Sequence, residues 1–233
     1  MYKEFLDELI NNYSEFFKKV HEQEKYPNQD IISCSSLYDS CVLLNPDYVI
    51  DIGTNYGAST LSFALALKTL GKPLSLLTTV DLSQRHWREE TPEIQQDFLK
   101  KSELNLEQIN VIESNFLDLD PVQFLKKDAK IFVFYDIHDN DMVSFSDRFI
   151  LNWIPLLGEA IVAVHDCSHV PESYVLRTNY KGYTMSKLTH FSGDIFAGFG
   201  ECKNFIEWAN EKRKDISYIP KTSLIYFKFK NDG

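Results

Sequence analysis

A short apolar strand, a turn and a helix recur in that order along most of this chain, and this recurrence leaves few folds open. Tyr48-Val49-Ile50-Asp51 is an apolar run before a glycine turn, and Leu61 to Leu70 then reads as a buried helix. That helix stops at Gly71, with Pro73 just beyond, because Gly tolerates the left-handed conformation that ends a helix and Pro cannot continue one. Leu74 to Val80 is a second strand, ending at Asp81, and Thr91-Pro92 opens the next helix with Thr as its cap and Pro in its first turn. Ile109 to Ile112 is a third strand, Ile131 to Tyr135 a fourth ending at Asp136, and Ala160 to Val164 a fifth ending at His165-Asp166. Between the last two, residues 141–157 form a Phe- and Leu-rich helix that stops at Gly158. Parallel strands need crossover connections, and right-handed crossovers place helices on both faces of the sheet. The spacing therefore predicts a doubly wound α/β fold.

The flanks differ. Residues 2–24 place Tyr2, Phe5, Leu6, Leu9, Tyr13, Phe16, Phe17 and Val20 at helical spacing, and a second helix is expected from about Ile31 to Leu44. A helix near Cys202–Lys214 precedes Ser217-Tyr218-Ile219 and Leu224 to Phe229, two strands close enough to form an antiparallel hairpin closing the sheet. The full expectation is a mostly parallel seven-stranded sheet with this C-terminal hairpin and N-terminal helices. Residues 167–200 show no clear period, and a long insertion of that kind is expected to be a lid or binding loop. Residues 1–45 are read as a helical cap and 46–233 as the ligand-binding domain.

Composition narrows the function. The formal charge of −10 repels a phosphate backbone, so no nucleic-acid partner is expected. Cys34, Cys41, Cys167 and Cys202 show neither a CxxC pair nor zinc-type spacing, so they read as free thiols of a reducing cytoplasm. The first residues do not form a signal peptide, and no apolar run approaches the roughly 20 residues a bilayer needs. A cytoplasmic protein that does not enter a membrane is expected.

In an open α/β sheet, ligands lie outside the carboxyl ends of the strands, where the strand order reverses. The first strand end reads Asp51-Ile52-Gly53-Thr54-Asn55-Tyr56-Gly57-Ala58-Ser59-Thr60. Glycine lets backbone approach a ligand, and the following helix offers unpaired N–H groups. Thirty residues on, Asp81 is placed to accept both hydroxyls of a ribose. A dinucleotide site would carry G-x-G-x-x-G, but Asn55 and Ala58 occupy the second and third glycine positions. Asp51, two residues before Gly53, would repel a pyrophosphate and suit the ammonium of a methionine moiety. This reading takes Asp51, Gly53, Thr54, Asn55, Gly57, Ser59 and Asp81 as binding residues for S-adenosylmethionine. Ser114 and Asn115, at the third strand end, are expected to hydrogen-bond the adenine, with Phe116 packing on it and His86-Trp87-Arg88 as a further cover.

Asp136, His138, His165 and Asp166 bring acids and histidines to two neighbouring strand ends. Methyl transfer to a hydroxyl needs that oxygen deprotonated, which a histidine or a divalent cation can achieve. Asp136, His165 and Asp166 could hold Mg²⁺ or Mn²⁺, Asp136 also lying against the cofactor, while His138 would take the proton. His169 and His190 receive no role.

The stretch Pro46 to Thr54 with Gly57 and Ser59, then Asp81, Asp136-x-His138, Trp153 to Gly158 and His165-Asp166, resembles class I methyltransferases of the macrocin and novobiocin O-methyltransferase kind, near the cephalosporin hydroxylase-like group. The resemblance spans about residues 30–166. It implies a Rossmann-like methyltransferase fold and metal-assisted O-methylation of a sugar or other small hydroxylated acceptor, with Asp136 and Asp166 as metal ligands and His138 at the base position. The chain departs from the pattern at Ile137, at Glu159 after Gly158, and at His138 and His165, which replace carboxylates of the metal-dependent relatives. The N-terminal helices would cover the acceptor or form a homodimer interface. A nicotinamide-dependent oxidoreductase and a non-catalytic S-adenosylmethionine-binding module stay open beside the methyltransferase.

Overall fold

The computed structural model describes residues 29–55, 57–85, 88, 102–126, 128–137, 142–165, 175–180, 183–188, 200–212, 216–218 and 224–229. The expected helices at 2–24 and after Thr91 lie outside them, as do His86, Trp87, His138 and Asp166.

Chain order gives helix α1 (Gln29–Leu44), strand β1 (Tyr48–Ile52), helix α2 (Ala58–Thr69), strands β2 (Leu77–Asp81), β3 (Asn110–Glu113) and β4 (Ile131–Tyr135), helix α3 (Met142–Arg148), and strand β5 (Ala160–Val164). A hairpin of β6 (Val175–Tyr180) and β7 (Tyr183–Leu188) follows, then helix α4 (Gly200–Glu211) and strands β8 (Ile216–Tyr218) and β9 (Ile225–Phe229). The central sheet runs β3-β2-β1-β4-β5-β9-β8. Its first five strands are parallel, and β9 pairs antiparallel with both β5 and β8. The order reverses between β1 and β4, which opens the crevice that α/β folds use for ligands.

Period-two alternation decides which helices lie on which face. Val49, Leu77, Phe132, Phe134, Ile161 and Tyr226 point to one side, where they meet Leu37 and Cys41 of α1 and Phe63 and Leu67 of α2. Ile50, Ile52, Val80, Val133, Tyr135 and Val162 point to the other, against Phe149, Trp153 and, from α4, Phe205 and Ile206. Helix α1, assigned to the N-terminal cap in sequence, thus packs into the same core as the sheet. It is held further by Ser36 Oγ, 2.8 Å from Tyr226 OH, and Tyr38 OH, 2.8 Å from Thr69 Oγ1.

Helix α2 stops as expected, with Gly71 at φ +67 and Lys72 N–H donating to the Leu67 carbonyl at 2.9 Å. The helix expected over 141–157 changes its winding instead of continuing. Residues Phe149–Trp153 form a π turn and Ile154–Leu156 a 3₁₀ turn. Pro155 has no N–H to extend the α ladder, so the chain tightens there. The stretch 167–200 was expected to be without regular structure; the β6–β7 hairpin lies inside it and, among the described residues, forms a separate two-stranded sheet. Among the described residues no helix is long and apolar enough to cross a membrane.

Candidate functional site

The turn after β1 runs through the left-handed region three times, at Gly53 (φ +100), Asn55 (φ +44) and Gly57 (φ +86). Asn is the side chain that tolerates this region best after Gly, so Asn55 does conformationally what a second glycine would do. Gly57 N–H donates to the Thr54 carbonyl at 2.7 Å and caps α2, while Gly53 N–H donates to the Val80 carbonyl at 2.8 Å. Asn55 N–H donates to Asp81 Oδ2 at 2.8 Å, so the acid at the end of β2 latches the tip of the turn. Asp81 Oδ1 accepts from Ser83 N–H at 3.3 Å, and its side chain stays partly exposed at the crevice.

Gly53 is bare for a neighbour's sake. A Cβ there would lie 1.9 Å from the Asp136 carbonyl oxygen, so the ends of β1 and β4 approach more closely than any other residue permits. Asp136 N–H donates to the Ile52 carbonyl at 2.9 Å and His165 N–H to the Tyr135 carbonyl at 3.0 Å, which carries the contact across to β5.

Asp51 corrects the sequence reading. Its side chain is 0% exposed, so its carboxylate does not face the crevice. Ser59 Oγ donates to Asp51 Oδ1 at 3.0 Å, Thr79 Oγ1 donates to Asp51 Oδ2 at 3.2 Å, and Thr60 Oγ1 also donates to Oδ2. Burial, helped by the charge of Asp136, pushes the Asp51 carboxyl up to about 7 against the pull of these hydroxyls. Thr54 and Ser59 are also turned inward, with Thr54 Oγ1 2.6 Å from Thr79 Oγ1. The side chains of Asp51, Thr54 and Ser59 therefore build the turn from beneath. Neither Thr60 nor Thr79 stood out in sequence, because a hydroxyl that serves a buried acid carries no local signature.

At the end of β3, Ser114 N–H donates to the Asp81 carbonyl at 2.9 Å. Asn115 Oδ1 accepts from Leu117 N–H at 2.9 Å and caps a 3₁₀ turn, so that oxygen is already engaged. Phe116 is not an adenine cover: it is buried against Tyr135, Phe145 and Trp153. Arg88, by contrast, stays exposed and pairs with Glu113 at 3.9 Å. Gln84, missed in sequence, is fully buried beside Thr54 and β3.

The ends of β4 and β5 hold one described pair. His165 Nδ1 lies 3.2 Å from Asp136 Oδ1, with the side chains 15% and 22% exposed, and the imidazole edge packs on Phe134. A carboxylate so placed can fix the orientation of an imidazole. Among the described residues no group of three or more His, Cys, Asp or Glu is arranged to hold a metal ion. The described members of the expected metal set, Asp136 and His165, are hydrogen-bonded to each other, and the third, Asp166, lies outside the described residues.

No protein-family model matches the sequence, and no curated protein matches it. Solved structures match the fold. A methyltransferase of Podospora anserina, PaMTH1, in its S-adenosylhomocysteine-bound form, superposes with a TM-score of 0.52 at 13% identity, over 93% of this chain and 87% of that one. CalS11, a TDP-rhamnose 3'-O-methyltransferase of calicheamicin biosynthesis, gives 0.55 at 14%, over 95% and 86%. The O-methyltransferase TomG of Streptomyces achromogenes, in complex with S-adenosylmethionine, gives 0.53 at 11%, over 93% and 89%. This chain has the fold these methyltransferases share.

Proposed function

We propose that this chain, built on the fold of class I methyltransferases, transfers a methyl group from S-adenosylmethionine to a hydroxyl of a small acceptor such as a sugar or secondary metabolite. The observation that carries the reading is the latched turn at the reversal of strand order, where Asp81 holds Asn55 at 2.8 Å beside the Gly53–Gly57 backbone. A turn of this shape suits the amino-acid end of such a ligand, and an acid at the neighbouring strand end suits its ribose.

Bound in this crevice, S-adenosylmethionine supplies an electrophilic methyl group on a sulfonium. Gly53, Asn55 and Gly57 present backbone to it, while Asp81, Ser114 and Asn115 line its nucleoside end. Asp136 takes the electrostatic role that sequence gave to Asp51: it stands at the rim beside Gly53 and offers a negative charge to an ammonium. His138 takes the acceptor's proton as the oxygen–carbon bond forms and the carbon–sulfur bond breaks. A second reading has one observation in its favour: Asp136 holds the His165 ring, so His165 can be the base. No step here runs through a metal. The buried thiols Cys34 and Cys41 accord with a cytoplasmic setting.

Calorimetry tests the proposal. S-adenosylhomocysteine should bind more tightly than NAD(H), and a labelled-methyl screen over sugars and phenols should return an acceptor. A protein indifferent to both S-adenosylmethionine and S-adenosylhomocysteine does not have this function.

A further inference from the structure

Gln84 lies three residues beyond the end of β2 and is nevertheless fully buried. Its Nε2 donates twice, to Thr54 Oγ1 at 3.2 Å and to the Ile112 carbonyl at 2.9 Å. Thr54 follows β1 and Ile112 lies in β3, so one carboxamide joins the ends of three adjacent strands. Both amide hydrogens are used, while Oε1 is buried with no partner among the described residues.

The tie continues inward. Thr54 Oγ1 accepts from Gln84 and lies 2.6 Å from Thr79 Oγ1, which in turn lies 3.2 Å from Asp51 Oδ2. The chain of hydrogen bonds thus runs from Gln84 to the buried acid. A side chain kept only to fill space would not be an amide, since a buried oxygen without a partner carries its full desolvation cost. That cost is retained where the Gly53–Gly57 turn faces the end of β3.

We propose that Gln84 is a positioning residue for the cofactor: it sets the separation between the turn after β1 and the end of β3, the walls that receive the amino-acid end and the nucleoside end of S-adenosylmethionine. The inference rests on the methyltransferase reading above. Walls fixed before binding spare the ligand the cost of ordering them.

Gln84→Met keeps the length of the side chain and removes both the donors and the orphaned oxygen. S-adenosylhomocysteine affinity, read by calorimetry, should fall roughly tenfold, the scale of one or two lost hydrogen bonds. The thermal midpoint should stay within about 3 °C of the wild type, because relief at Oε1 offsets the loss at Ile112. Thr54→Val cuts the same link from the other side and should weaken binding similarly, with the double variant no weaker than the worse single one. Unchanged affinity in Gln84→Met overturns the proposal, as do additive losses in the double variant. A weakened affinity that comes with a midpoint lowered by more than about 10 °C marks a purely structural residue and overturns it as well. If Gln84→Met does not fold, Thr54→Val decides alone: binding at wild-type strength overturns the assignment. Wild-type protein that fails to bind S-adenosylhomocysteine overturns the methyltransferase reading itself, before any variant is compared.

Discussion

Gly53 joins the turn after β1 to the end of β4, since only a residue without Cβ admits the Asp136 carbonyl at that distance. Gly53→Ala adds both a clash with backbone and a strained φ of +100, and should cost about 2–4 kcal/mol in urea unfolding. Asp51 carries a pH signature. The folded protein keeps its proton up to about pH 7, whereas a carboxyl at its ordinary 3.8 has lost it. Between those values the folded state binds more protons than the unfolded one, so this group makes stability fall as pH rises from about 4 to about 7. Asp51→Asn should remove that part of the slope, leaving unfolding free energies at pH 5 and pH 7.5 closer together than in the wild type. The two histidines separate by kinetics. With an acceptor in hand, His138→Ala should lower kcat by about 10²-fold or more at neutral pH. Full activity in that variant, with the loss appearing in His165→Ala, moves the base to the pair held by Asp136. The glycine turn was legible in sequence because turn chemistry is local, whereas the bond from Asn55 N–H to Asp81 joins two strand ends and left no local sign. The burial of Asp51 was not legible either, because one of its hydroxyl partners, Thr79, lies on another strand.

At the scale of elements, β4 and β5 were legible to the residue: each is an apolar run buried along its whole length. Helix α1 shows where such reading stops. Its position was evident, but its docking into the sheet's core depends on residues as distant as Tyr226. Leu37→Ala should therefore lower stability by about 2–5 kcal/mol, as truncation in a packed core does, and a change below about 1 kcal/mol would show α1 to be peripheral. The β6–β7 hairpin escaped because Arg177, Asn179 and Lys187 break any apolar alternation, leaving a pairing that register alone defines. The π turn after α3 escaped for a different reason: helical spacing continues through it while the winding changes.

For the whole molecule, ligand linkage is the broadest check. S-adenosylhomocysteine at about 100 times its Kd should stabilise the folded state by about 2.7 kcal/mol, seen as a raised thermal midpoint, and NAD(H) at the same concentration should shift it less. A larger shift with NAD(H) would favour the oxidoreductase. The likeness to methyltransferases at 11–14% identity lies in the arrangement of strands, which tolerates wide change in side chains.

The antiparallel seat of β9 has a consequence for biosynthesis. Strand β5, which leads to His165, keeps one flank open until Ile225–Phe229 have left the ribosome. At about 5–20 residues per second, the five parallel strands wait several seconds with a bare apolar edge beside His165. Nascent chains halted before residue 225 should accordingly be bound by chaperones, and released ones should not.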